Sequence, residues 1–161
     1  MKRAKRFFAV TLVLVVASVQ CALAGGSLSN FLYYNKNDVF KTVSRIAHPG
    51  NNFQYASYNI YGDDIYATIH SKGKFSGWDY TMEVRIHKSG SKFDYLEVIS
   101  DDDIAPAFMF SDFAKGLLNE LFKDYHSRFL SFVENMYGER LYDMNARRMC
   151  LAYLSFKYWL N

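Results

Sequence analysis

From Trp78 to His87 the chain alternates strictly. Trp78, Tyr80, Met82, Val84 and Ile86 fall on one side; Asp79, Thr81, Glu83, Arg85 and His87 fall on the other. A period of two marks a β-strand with one dry face and one wet face. Such a strand needs paired neighbours for its backbone and a cover for its apolar side. It therefore commits the middle of the chain to an antiparallel sheet covered on one face only.

The neighbours follow from the turn signals. A tyrosine-rich run from Phe53 to Tyr61 ends at Gly62-Asp63-Asp64, and a second run, Ile65 to His70, sets Ile65, Ala67 and Ile69 on one side. Ser71 to Gly77 reads as a loop, and Ser89-Gly90-Ser91 as a tight turn into a fourth strand from Lys92 to Ile99. The fourth run changes phase between Tyr95 and Leu96, as a β-bulge would require.

Helices flank this sheet. Leu28, Phe31 and Leu32, and then Val39, Phe40, Val43 and Ile46, have helical spacing, with Asn35-Lys36-Asn37 between them and His48-Pro49-Gly50 as a stop. One bent helix and two short ones are both compatible with this pattern. From Ser111 to Tyr137, apolar residues recur every three or four positions, including Phe113, Leu117, Leu121, Phe129 and Val133, and predict one long helix. Ser111 is its expected N-cap, Gly138 its stop, and Asp124 with Arg128 an outer-face pair at i, i+4. A final helix, from about Leu141 or Asp143 to Trp159, is apolar nearly all round and should pack between the long helix and the sheet. The expected fold class is α+β: a four-stranded antiparallel meander with an N-terminal helical segment and two C-terminal helices on one face.

The N-terminus carries an address. Lys2, Arg3, Lys5 and Arg6 precede an apolar run, and Ala22-Leu23-Ala24 supplies a small-x-small cleavage pattern. Residues 1–24 read as a cleavable signal peptide and 25–161 as a single exported domain, secreted or periplasmic. A retained anchor and lipidation at Cys21 are the competing readings; both also place the domain across a membrane. Four of the 19 basic residues belong to the leader, so the remainder, with 16 acidic residues, is close to neutral. The basic character of the whole chain is thus no argument for nucleic acid binding. With Cys21 in the leader, Cys150 stands alone and no internal disulfide staples the domain.

Chemical motifs are sparse. No G-x-S-x-G and no glycine-rich phosphate loop is present, and Ser76 in the 71–77 loop has no base beside it in sequence. Cys150 sits between Met149 and Leu151, where cysteine usually serves as a small hydrophobe. His70 and His87 end neighbouring strands and form the one candidate pair for zinc, weighed against two solvated strand ends. Asp101-Asp102-Asp103 offers oxygen ligands but lacks the spacing of a calcium loop, and reads as a solvated junction. Asp63, Asp64, Glu83 and Glu97 are the carboxylates available for acid–base chemistry. Lys72, Lys74, Lys88 and Lys92 cluster at the sheet turns as ordinary solvated charge.

Aromatic content is the unusual quantity: beyond the leader, 12 of the 14 Phe remain with all 13 Tyr and both Trp. The expected function is a non-catalytic exported binding module that holds an apolar small molecule or another envelope or extracellular protein. Tyr55, Tyr58, Trp78 and Tyr80 are its expected ligand-binding residues. No cofactor, metal or nucleic acid is expected, and membrane contact only through an uncleaved leader. The alternative is a small exported hydrolase drawing on His70, His87, the nearby carboxylates or Cys150.

Overall fold

The computed structural model describes residues 28–161. The expected signal peptide and its cleavage site lie outside these residues. The chain divides into two compact units, the first ending at Tyr34 and the second running from Asn35 to Asn161. The backbone is helical at every position from 28 to 47 (α1), Asn35-Lys36-Asn37 included. In the first unit Leu28, Phe31 and Leu32 are buried, while Tyr33 and Tyr34 are exposed and meet edge to face. Both tyrosines are thus helical, not part of the sheet.

Four strands follow α1: β1 (Asn51–Tyr61), β2 (Asp64–Gly73), β3 (Asp79–Ser89) and β4 (Lys92–Asp101). They pair antiparallel in the order β1-β2-β3-β4. Two connections are two-residue hairpins, Gly62-Asp63 and Gly90-Ser91, each opened by a glycine with positive φ. That conformation suits the twist of the flanking strands and costs glycine little. β4 is irregular, but not between Tyr95 and Leu96, where its register is unbroken: Asp94 and Ile99 are the extra residues, and the first of them puts Phe93 and Tyr95 on opposite faces. A further shift in β1 leaves Gln54 between the pairs Phe53–Ser71 and Tyr55–His70.

The alternation predicted for β3 matches what is buried. Ile65, Ala67 and Ile69 of β2 pair with Ile86, Val84 and Met82 of β3, and all six are buried. Their cover comes from α1, whose Val39, Phe40, Val43 and Ile46 are sealed from solvent, with Phe40 against Tyr58 of β1. It also comes from the last helix, α4 (Ala146–Leu160), which packs on β4. The carbonyl of Ala47 at the end of α1 accepts a hydrogen bond from Phe108, a buried residue held at positive φ.

The long helix expected over Ser111 to Tyr137 is broken. It consists of α2 (Ser111–Leu121), a 3₁₀ turn (Lys123–Tyr125) and α3 (His126–Tyr137). No proline or glycine marks the break in the sequence; the packing of Phe122 holds it. Its ring lies among Phe129, Tyr153 and Phe156, at centroid distances of 4.7, 5.8 and 4.8 Å. His126 Nε2 and Asn119 Oδ1 meet at 3.1 Å across the interruption. Both helices pack on α4, which is buried along most of its length, as its all-round apolar character predicts.

Several local expectations need correction. Phe113, Leu121 and Trp78, expected in the core, are 38%, 42% and 66% exposed, although Leu117 is buried as expected. The apolar side of α2 is wider than the surface α4 offers it, and Ala114, Leu117 and Leu118 occupy the covered part. Ser111 is the first helical residue rather than the cap, whereas Gly138 does close α3 in the left-handed conformation. Arg128 lies over the Tyr125 and Trp159 rings instead of pairing with Asp124. Lys88 is buried, because it continues the dry face of β3; its ammonium reaches the Gly90 carbonyl and the Tyr158 ring.

A closed hydrogen-bond ring joins three elements. The Phe93 N–H donates to Ser155 Oγ at 2.9 Å, Ser155 and Tyr137 hydroxyls lie 2.7 Å apart, and Tyr137 donates to the Phe93 carbonyl at 2.6 Å. Burial pushes the Tyr137 phenol up to about 12, offset in part by Ser155. Replacing Tyr137 by Phe removes the hydrogen bonds to the Phe93 carbonyl and to Ser155, and should lower unfolding free energy by about 1–3 kcal/mol in a urea titration.

Candidate functional site

The helices leave the second face of the sheet open. Strand register arranges its side chains in rows across the four strands. Tyr55, His70 and Thr81 form one row; Ser57, Thr68, Glu83 and Ser100 form the next. Asn59, Tyr66, Arg85 and Glu97 make a third, and Tyr61, Asp64, His87 and Tyr95 a fourth. Tyr55, Tyr61, Tyr66 and Tyr95 are exposed there, at 58%, 66%, 37% and 46%. This face carries a shallow depression of about 190 Å³ among Ser57, Asn59, Tyr66, Thr68, Glu83 and Ile99.

Polar contacts fix the rows. Arg85 grips Asp64 with Nε and Nη2 at 3.2 and 3.3 Å, and His87 Nδ1 lies 3.0 Å from the same carboxylate. The Arg85 hydrogen bond, supported by His87, holds the Asp64 carboxyl below the usual carboxylate range against the opposing effect of desolvation. Ser100 donates to Glu83 at 2.8 Å. Tyr55 stacks on His70 at a centroid distance of 4.2 Å, and His70 Nδ1 lies 3.3 Å from the Thr81 hydroxyl. The guanidinium of Arg85 also lies 5.8 Å over the Tyr95 ring.

The four residues expected to bind ligand do not share one surface. Tyr55 is on the open face. Tyr58, three residues on, belongs to the opposite face and lies against Phe40. Tyr80 is half-buried, pairs with Ser71 on the helix-covered side, and has its hydroxyl 3.4 Å from that of Ser76. Trp78 precedes the first paired residue of β3 and sits exposed in the 74–78 loop. Tyr61, Tyr66 and Tyr95 complete the aromatic set instead. Period-two counting from Tyr55 gives Tyr61, and the wet side of the second run gives Tyr66; the bulges of β4 hid Tyr95.

The two histidines are kept apart, and the one His–carboxylate contact among the candidates is His87 with Asp64, whose carboxylate Arg85 already holds. In the register, His70 faces Thr81 and His87 faces Asp64, six pairs further along the same ladder, so the two histidines stand at opposite ends of it. At about 3.3 Å per residue that is close to 20 Å, which rules out a shared zinc ion. Among the described residues, no group of three or more His, Cys, Asp and Glu side chains is placed to hold a metal. Cys150 is fully buried, and desolvation pushes its thiol far up from the ordinary value, which leaves no thiolate for attack.

Asp101 and Asp103, expected as a solvated junction with Asp102, form part of a buried clasp instead. His48 is 5% exposed; its Nε2 lies 2.6 Å from Asp101 Oδ2, and its Nδ1 3.5 Å from Asp103 Oδ2. Asn51 donates to Asp103 at 2.7 Å. Both ring nitrogens of His48 face carboxylates, so neither is turned toward a nucleophile. The histidine ties the end of α1 to the end of β4 rather than serving as a base. Comparison of the chain with known protein families, curated proteins and solved structures found no match.

Two outcomes are expected here. In NMR titration Asp64 should ionise below the ordinary carboxylate range, and Arg85→Gln should return it toward that range. Because the folded-state value is depressed, the stabilisation from Asp64 is complete above about pH 4, the unfolded value, and fades as pH falls through the folded one. At the clasp, His48→Leu leaves Asp101 and Asp103 facing an apolar group, and should cost roughly 1–3 kcal/mol by thermal or urea unfolding.

Proposed function

We propose that this chain is an exported, non-catalytic binding module whose open sheet face docks a protein partner. One observation carries the reading: an uncovered four-stranded face that presents Tyr55, Tyr61, Tyr66 and Tyr95 around a charge-paired Arg85. Tyrosine and arginine are the side chains that concentrate in protein interfaces, since each offers a broad apolar surface with a polar end. The face spans all four strands. Its 190 Å³ depression falls short of the roughly 300–1,000 Å³ of sites that enclose a drug-sized ligand, which favours a macromolecular surface over an apolar small molecule. The export part of the proposal rests on the basic-apolar-small pattern of residues 1–24.

A photo-crosslinking amino acid placed at Tyr66 and, in a separate variant, at Tyr142 tests the docking face. Tyr142 is 48% exposed but lies in a short 3₁₀ turn outside the sheet. The expected result is a discrete protein adduct from position 66, absent from position 142, when the protein is crosslinked in its own cells. Equal adducts from both positions, or none from 66, would reject the face. Intact-mass measurement of the protein recovered from those cells should give a chain that begins at Gly25; a full-length chain would reject cleavage.

A further inference from the structure

A second cleft, of about 280 Å³, lies among the helices and shares no residue with the open sheet face. Lys41 and Arg45 of α1 stand on one side of it and Lys157, in the last turn of α4, on another. Lys41 and Arg45 are four residues apart, so their like charges share one helical face, a spacing that mildly destabilises a helix on its own. Asp38 is the only carboxylate in the lining. Elsewhere among the described residues, each lysine and arginine except Lys36 sets its charged end against a carboxylate, a carbonyl or an aromatic ring. Among the described residues Lys41, Arg45 and Lys157 have no such partner, and all three line one hollow.

The cleft is also lined by Leu121, Phe122 and Tyr153, of which Leu121 is the exposed one. The helix break at Phe122 turns that ring inward and leaves Leu121 at the cleft with 42% of its surface exposed. Tyr153 turns its hydroxyl to the Asp38 carbonyl at 3.3 Å and to Thr42, so its ring contributes to the same lining. An exposed leucine and three basic side chains therefore line the same hollow.

We infer that this cleft binds a small amphiphile with an anionic head, a carboxylate or phosphate monoester on a short apolar chain. The head lies among Lys41, Arg45 and Lys157, where the arginine fork can pair two oxygens at once. The chain lies along Leu121, Phe122 and Tyr153. The volume suits one short-chain molecule. The inference stands apart from the sheet-face proposal, because its residues and its readout are different.

Calorimetric titration of the purified protein with octanoate, octyl phosphate, octanol and inorganic phosphate tests it. The expected result is saturable binding of octanoate or octyl phosphate, with octanol and inorganic phosphate at least about tenfold weaker, the loss expected for one charge-assisted contact. Arg45→Met should weaken the better ligand by about tenfold and Arg45→Lys by less, while Lys36→Met leaves it unchanged. If Arg45→Met fails to fold, Lys41→Met and Lys157→Met give the same reading. Equal binding of octanol, equal binding of inorganic phosphate, or no binding of either anionic amphiphile would overturn the inference. So would binding that Arg45→Met and Lys36→Met reduce alike, or binding only to phosphatidylglycerol vesicles in a sedimentation assay.

Discussion

Everything in the second unit depends on one sheet face being dry. Ile65, Ala67 and Ile69 meet Met82, Val84 and Ile86 across the central ladder, and α1 and α4 close over that side of the sheet. Each large aliphatic side chain so buried contributes roughly 1.5–3 kcal/mol, an upper figure because the unfolded chain already hides some of its surface. The same requirement pins the register. A slip of one residue between β2 and β3 would bring Tyr66, Thr68 and His70 under the helices and expel the isoleucines. The open face is therefore what remains once the core has chosen its side.

That dependence explains what the sequence made legible. The α+β class, the four strands, their meander order and the buried final helix all follow from periodicities of two and of three to four, with glycine turns between them. Local chemistry also marked the ends well, as at Gly138 and at His48-Pro49-Gly50. What escaped was set by contacts between residues far apart in the chain. Nothing near Phe122 marks a helix break, because the reason for the break lies in Phe129, Tyr153 and Phe156. Lys88 looked like turn charge until its place on the dry face of β3 and the Tyr158 ring beyond it were known.

The residues expected to bind show the same division. Tyr55 was readable as a wet-face tyrosine, but Tyr58 was grouped with it by composition although a spacing of three residues puts the two on opposite faces. Trp78 and Tyr80 were read as dry-face members of β3. The first falls outside the paired ladder and the second stays half-covered at its end. Carboxylates were equally opaque: Asp101 and Asp103 look like a solvated junction in sequence and become the partners of a buried histidine in the fold. Sequence period gives the face of a residue, but partners on distant elements decide what occupies that face.

The clasp formed by His48, Asp101 and Asp103 has a consequence for the order in which the chain assembles. His48 and Asp101 are 53 residues apart, with the whole meander between them. Closing a loop of that length costs about 3.5 kcal/mol in chain entropy before any constant term, so the clasp gains nothing until the hairpins have already shortened the path. It is a late contact that rewards a complete sheet. Opening the clasp therefore loosens the exit from α1 and the last residues of β4 together, since each end loses the same contact.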